Sequence, residues 1–213
     1  FEYNRCYCSA CYSQSEPDYF TVGGSRYTIP RGWTRFGLKI DQAFADHQQI
    51  FKKWCTTFYG TSENQLETVI KNRFIPFPGD DLLSGETFTT HLSDKKHIYT
   101  SPSINYASLE HVCPIDQVEI DGEQFYVQVV LECKQNPAGI IKQHGCRRDV
   151  CSVIDDDEIE WKTDQRSSVV PYSILFRMVR HRASDDRTTF DNPRYDFYRH
   201  SPTPVSEPVD SDA

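Results

Sequence analysis

The stretch from Phe125 to Lys134 limits the fold more than any other part of this chain. It reads Phe-Tyr-Val-Gln-Val-Val-Leu-Glu-Cys-Lys, nearly continuous in β-branched and aromatic residues. Such side chains pack well on a pleated surface. A run this continuous in β-formers is the strongest strand signal in the chain. Composition points the same way. With 13 Phe, 12 Tyr and 3 Trp against modest Leu and Ala, a β-rich or α+β domain is favoured over a helical bundle. A length of 213 residues suffices for one domain with a sizeable core and some extra chain.

Around that strand the pattern divides the chain into three parts. Residues 1–29 are polar, rich in Gly, Ser and Tyr, and read as a loop-rich arm bearing cysteines. Residues 30–182 carry the periodic segments. Gly32 to Ile40 alternates apolar and polar residues as a first strand, with Trp33, Leu38 and Ile40 as core candidates. Asp41 is placed to cap a short helix through Ala43, Phe44, Ile50 and Phe51. Trp54 to Phe58 reads as a strand entering the turn Tyr59-Gly60-Thr61. Ser62 is an N-cap for a helix carrying Leu66, Val69, Ile70 and Phe74 at helical spacing, ended by Pro76, Pro78 and Gly79. Residues 79–96 read as a polar loop, and His97 to Thr100 as a short strand. Residues 135–157 form an insertion punctuated by Gly and Cys, ending in Asp155-Asp156-Asp157. Glu158 to Thr163 and Val169 to Val179 give the last strands. Residues 183–213, rich in Asp, Arg, Pro, Ser and Thr, read as a flexible tail.

Net charge and hydropathy exclude some functions. At −8 the chain lacks the basic balance of a protein that coats nucleic acid, although Lys142, Arg147 and Arg148 suggest a local basic patch. No run of about 18 apolar residues is present, so no membrane partner is expected. The chain begins at Phe1 and its one methionine is Met178, so it reads as a piece of a longer protein.

Three short blocks carry the candidate chemistry: Phe58-Tyr59-Gly60-Thr61, Ile98 through Ala107 (Ile-Tyr-Thr-Ser-Pro-Ser-Ile-Asn-Tyr-Ala), and Glu158-Ile159-Glu160-Trp161. Gly60, lacking a Cβ, lets backbone come close to a ligand. Glu158 and Glu160 are two apart on an expected strand, which puts both on one face. Paired carboxylates on one face resist mutual burial and often mark a site.

In their order, and at separations of about forty and then about sixty residues, these blocks resemble the catalytic signature of the ADP-ribosyltransferase superfamily, PARP-like branch. More specifically, Pro30 to Phe36, the aromatic-Gly-Thr turn, Tyr99 to Ala107, Val129 to Lys134, Glu158 to Trp161 and Val170-Pro171-Tyr172 are similar to the ADP-ribosyltransferase-like domain of neuralized-like protein 4 and its relatives. The resemblance covers about residues 30 to 180. It implies an α+β fold of two packed, mostly antiparallel sheets around an NAD cleft. The implied activity is transfer of ADP-ribose from NAD to a protein or nucleic-acid acceptor, with release of nicotinamide.

The roles it implies are these. Gly60 and Ser103 or Ser101 bond the nicotinamide carboxamide, with Thr61 beside them. Tyr99 and Tyr106 stack on the ring. Tyr59 touches the adenosine ribose. Glu160 is the catalytic carboxylate, with Tyr99 and Tyr59 completing the catalytic set and Glu158 assisting. PARP-like members carry histidine where Tyr59 stands; a tyrosine hydroxyl can also donate a hydrogen bond. The departure implies a second reading, a non-catalytic module that binds NAD, ADP-ribose or a protein partner.

Eight cysteines remain to be placed. Cys6-x-Cys8-x-x-Cys11 offers three soft ligands within six residues, and Cys146, Cys151 or His144 is a candidate fourth. Zinc suits sulfur-rich tetrahedral ligation in a reduced, cytoplasmic compartment, where its role would be structural. Disulfides in a secreted protein are the alternative, though Cys-x-Cys is too cramped to pair with itself.

Overall fold

The computed structural model describes residues 3–89, 94 and 96–180. The tail expected over 183–213 and part of the 79–96 loop therefore lie outside the described residues.

The strand marked by the sequence is β8 (Glu123–Gln135), the centre of a six-stranded sheet. On one side β11 (Val169–Arg180) pairs with it from Val169 opposite Gln135 to Arg180 opposite Phe125. The other side is shared end to end by β5 (Cys55–Gly60) and β7 (Asp116–Ile120). Beyond β11 come β4 (Thr34–Gly37) and β1 (Arg5–Cys6). A second sheet places β10 (Glu160–Thr163) between β6 (Ile98–Thr100) and β9 (Ile141–Gln143). β2 (Tyr19–Val22) and β3 (Ser25–Thr28) form a hairpin. All of these pairings are antiparallel. With its few short helices, the chain is an α+β protein of antiparallel sheets.

The helices begin where their caps predict. Asp41 accepts from the Phe44 N–H at the start of α1 (Gln42–Gln48). The continuous helix expected through Phe51 breaks at Gln49, whose φ of +52° separates α1 from α2 (Ile50–Lys53). Ser62 and Gln65 form a reciprocal capping box on α3 (Glu63–Asn72). α3 stops at Arg73, in the left-handed region, before the prolines are reached. Val69 is buried, whereas Ile70 and Phe74 stay exposed. α4 (Ile104–Ala107) is a single turn.

The first thirty residues hold three short strands besides irregular loop. Gly23 and Gly24, both at positive φ, make the two-residue turn between β2 and β3, and β1 adds to the main sheet. The rest is wrapped around Arg31. Its guanidinium reaches Asp18 Oδ1 at 2.5 Å, Ser13 O at 2.9 Å and Glu16 O at 2.5 Å, and lies 4.6 Å from the Tyr12 ring centroid. A planar cation with five donors organises an irregular loop that no strand ladder could satisfy.

Alternation along β8 separates two cores. Val130 joins Trp33, Phe58, Ile104 and Leu175 on one face. Leu131 and Cys133 join Val69, Ile75, Phe77 and Ile98 on the other. The first face also buries three polar side chains. Gln128 Nε2 donates to Ser108 O and Cys113 O, and Lys134 Nζ to Thr56 Oγ1 at 2.8 Å. Glu132, 1% exposed, accepts from Ser173 Oγ at 2.8 Å and Arg35 Nη1 at 3.3 Å. Burial, reinforced by this carboxylate, drives the Tyr172 hydroxyl pKa far above its ordinary value.

Glu132 thus joins β8, β11 and β4 through one charge. Truncating it leaves Arg35 largely buried without its anion, which costs about 3–5 kcal/mol. Urea unfolding of Glu132→Ala is expected to show a loss of that size, and a paired Arg35→Met, Glu132→Leu variant to recover most of it.

Candidate functional site

The three sequence blocks meet in space. β5 and β6 are joined by a pair of backbone hydrogen bonds outside either ladder: Phe58 N–H to Ser101 O at 2.7 Å and Ser101 N–H to Phe58 O at 2.9 Å. The Ser101 hydroxyl donates to Ile159 O at 2.6 Å. One residue of the second block is therefore bonded to both the first and the third.

A cavity of about 320 Å³ opens beside this junction, within the range of small-molecule sites. Its walls include Tyr59, Gly60, Tyr99, Ser101, Tyr106 and Glu160, so six of the sequence candidates line one space. Register explains the convergence of the second sheet. Gln143 on β9 lies directly opposite Glu160 on β10, and Tyr99 on β6 lies opposite Lys162, two residues further along. Opposed residues share a face, as do residues two apart. Gln143, Glu160 and Tyr99 are thus presented together.

Glu160 is held at both oxygens. The Tyr106 hydroxyl donates to Oε2 at 2.7 Å and Gln143 Nε2 donates to Oε1. The same Tyr106 oxygen accepts from the Cys146 N–H at 2.9 Å. Burial, with Cys146 and Glu160 adding to it, holds the Tyr106 pKa far above that of a free phenol. The Tyr99 hydroxyl is anchored to Asp94 Oδ2 at 2.7 Å, which also meets His97 Nδ1 at 2.7 Å. Burial first, and Asp94 second, push the Tyr99 pKa up to about 12, while the Tyr99 hydrogen bond leads in holding Asp94 well below the carboxylate range. Both tyrosines stay protonated at neutral pH, with fixed rings.

Several expected roles change. Glu158 does not share a strand face with Glu160. It ends a 3-10 turn (Asp156–Glu158), is exposed, and pairs with Lys142 Nζ at 2.9 Å outside the cavity. That pair, with His144 against Asp157 at 2.8 Å, also tempers the local basic patch. Ser103 is fully buried and caps α4 by accepting from the Tyr106 N–H, and Thr61 is buried with its hydroxyl on Ser62 O; neither lines the cavity. Tyr106 contributes its hydroxyl to Glu160 as well as its ring to the wall. Tyr59 packs against the core that contains Leu131 and Cys133, and burial raises its pKa.

Gly60 is required by the protein itself. A Cβ there would sit 2.3 Å from Ala107 O and 2.6 Å from Val112 Cγ1. Gly145 is similar, since a Cβ would meet Ile159 Cγ2 at 2.6 Å and Tyr106 Cε2 at 2.8 Å. Its absence lets the loop that carries Cys146 lie over Tyr106.

Gln143, His97 and His111 also line the cavity without having been singled out, as does Cys146, which was flagged only as a candidate metal ligand. Their only signal is proximity in sequence to the flagged insertion and to the second block.

The Cys6, Cys8 and Cys11 thiols lie within 4.8 Å of one another and could hold a metal. All three are unpaired thiols. Cys8 faces the Cys6 sulfur and the backbone N–H groups of Cys11 and Ala10, which bring its pKa down to about 7. The expected fourth ligands are elsewhere: Cys146 is 3.1 Å from His111 at the cavity, His144 is on Asp157, and Cys151 packs with Ile154 and Ile159. Among the described residues, three ligands come together here.

Comparisons of the chain with protein-family models, curated proteins and solved structures give no match. No helix among the described residues is long and apolar enough to cross a membrane.

Gly60→Ala forces backbone apart between β5 and α4. It is expected to cost about 1–3 kcal/mol in denaturant unfolding, as overpacking does, and to disturb the cavity wall.

Proposed function

We propose that this chain is a mono-ADP-ribosyltransferase of the PARP-like kind, moving ADP-ribose from NAD to a protein or nucleic-acid acceptor. The observation that supports this is a single one: the three blocks that carry the resemblance line one cavity, with the Glu160 carboxylate fixed in its wall by Tyr106 and Gln143.

Breaking the nicotinamide–ribose bond builds positive charge on the sugar as a neutral base leaves. A carboxylate fixed before the reaction stabilises that charge without reorganising at the moment it develops. Glu160 takes this role. The two hydrogen bonds aim its charge and leave each oxygen a further lone pair for ribose hydroxyls. The fixed rings of Tyr99 and Tyr106 offer flat surfaces for nicotinamide, and Gly60 offers a backbone edge in the same cavity wall. Glu158 is given no part.

Purified chain incubated with labelled NAD and pools of protein, single-stranded DNA or RNA is expected to label one pool and release nicotinamide. Glu160→Gln should slow that release by about 10²–10³-fold. Equal rates in parent and variant would remove Glu160 from the chemistry.

One observation favours the second reading, a binding module without turnover. Tyr59, standing where the family has histidine, is packed into the core beside Leu131 and Cys133. Calorimetric binding of NAD with no nicotinamide release under any acceptor would select it.

The three amino-terminal cysteines are assigned to a structural zinc. Cys6, Cys8 and Cys11 would hold it, their thiolates supplying soft ligands and fixing the arm against β4. Metal analysis is expected to find one zinc per chain. Chelation should lower the melting temperature, and Cys8→Ser should remove both the metal and the chelator's effect.

A further inference from the structure

At the wall of the same cavity stands a group that the proposed chemistry does not use. Cys146 Sγ lies 3.1 Å from His111 Nε2 and 3.2 Å from the Tyr106 hydroxyl. Both Cys146 and His111 are exposed, and both line the cavity that Glu160 lines. They come from separate segments, the loop after α4 and the loop after β9. The approach of Cys146 depends on Gly145, whose missing side chain lets that loop rest on Tyr106. The Cys146 N–H bond to the Tyr106 oxygen then fixes the backbone at the thiol.

We infer that Cys146 and His111 form a thiol–imidazole nucleophile pair whose substrate is an electrophilic carbon held in this cavity. Resting on the reading given above, that carbon is the anomeric carbon of the ribose of NAD, so the chain is its own acceptor at Cys146. An imidazole nitrogen in hydrogen-bond reach of a thiol takes its proton as the sulfur attacks, the arrangement that activates cysteine nucleophiles elsewhere.

The step balances without another reactant. The sulfur–carbon bond forms at the anomeric carbon. The carbon–nitrogen bond to nicotinamide breaks, and its electron pair returns to the ring nitrogen, which leaves neutral. The thiol proton passes to His111 Nε2. Glu160, reached from Cys146 through the Tyr106 hydroxyl, faces the sugar's developing charge during the transfer. The product is an S-glycosidic ADP-ribosyl group on Cys146. Lodged in the cavity wall, it blocks the site to the next NAD, so self-modification is a brake on turnover.

The test has two arms. In the first, the full chain is incubated with NAD alone, nicotinamide release is followed, and modified peptides are mapped by mass spectrometry. The expected result is ADP-ribose on Cys146, released by mercuric ion and resistant to hydroxylamine. His111→Ala should slow its appearance by about 10²-fold, the lower end for a positioned base. Nicotinamide release with Cys146 unmodified would overturn this inference and leave the transferase reading standing. No release at all would sink self-modification together with that reading.

The second arm needs no NAD. Alkylation of Cys146 by iodoacetamide is expected to be faster in the parent than in His111→Ala. Equal alkylation rates would show that the two side chains are only neighbours.

Discussion

The paired backbone hydrogen bonds between Phe58 and Ser101 are the constraint on which the site depends. They are the joint between two sheets that, among the described residues, otherwise share no ladder. Phe58 is fully buried in the core under β8, and Ser101 is 1% exposed, so the bonds are shielded from competing water. With the Ser101 hydroxyl on Ile159 O, the edge of the small sheet is fixed at β5 and at the start of β10. The cavity is the space left between sheets held this way, and its walls are set by backbone more than by side-chain choice.

This explains a displacement of roles between the sequence and the fold. Gly60, Ser101 and Ser103 fall where a ligand-binding motif would put them, yet each meets a structural demand first. Gly60 admits the close pass of Ala107 and Val112, Ser101 ties three blocks, and Ser103 caps α4. Gly60 and Ser101 nevertheless line the cavity. Ser103, fully buried, does not. The same logic separates the two glutamates. Two residues apart guarantees a common face only on a strand, and the 3-10 turn ending at Glu158 turns it outward before β10 begins at Glu160.

Much of the fold was legible because it rests on local patterns. The β-former run at 125–134 predicted a strand, and Asp41 and Ser62 predicted helix starts through their side-chain oxygens. What was not legible depends on partners distant in sequence. β7, exposed on much of its surface, carries little apolar signal and is defined by its pairing with β8. The short strands of the loop-rich arm were not legible because its order comes from Arg31 and from a Gly-Gly hairpin, neither of which shows periodicity. Within the site, Tyr59, Tyr99, Tyr106 and Glu160 were found by motif. Gln143 and His111 were not, and Cys146 was flagged only as a metal ligand, because only the ladder between β9 and β10 and the fold of the loops bring them in.

Glu160 illustrates how much of a candidate active site is made by its surroundings. Alone at a strand end it would be an ordinary half-exposed carboxylate. Its cross-strand neighbour Gln143 and the Tyr106 hydroxyl fix one oxygen each, and Tyr106 is itself fixed by the Cys146 N–H. The chain of donors runs from loop backbone to phenol to carboxylate, so the position of the charge depends on a loop that Gly145 alone allows to approach. A carboxylate held by two donors loses its freedom to rotate, the preorganisation on which the proposed function draws. Replacing those donors by a lysine or arginine would orient it equally well but cancel the field it offers. Both of these donors to Glu160, a phenol and an amide, are neutral, so they orient the carboxylate without pairing it with a cation.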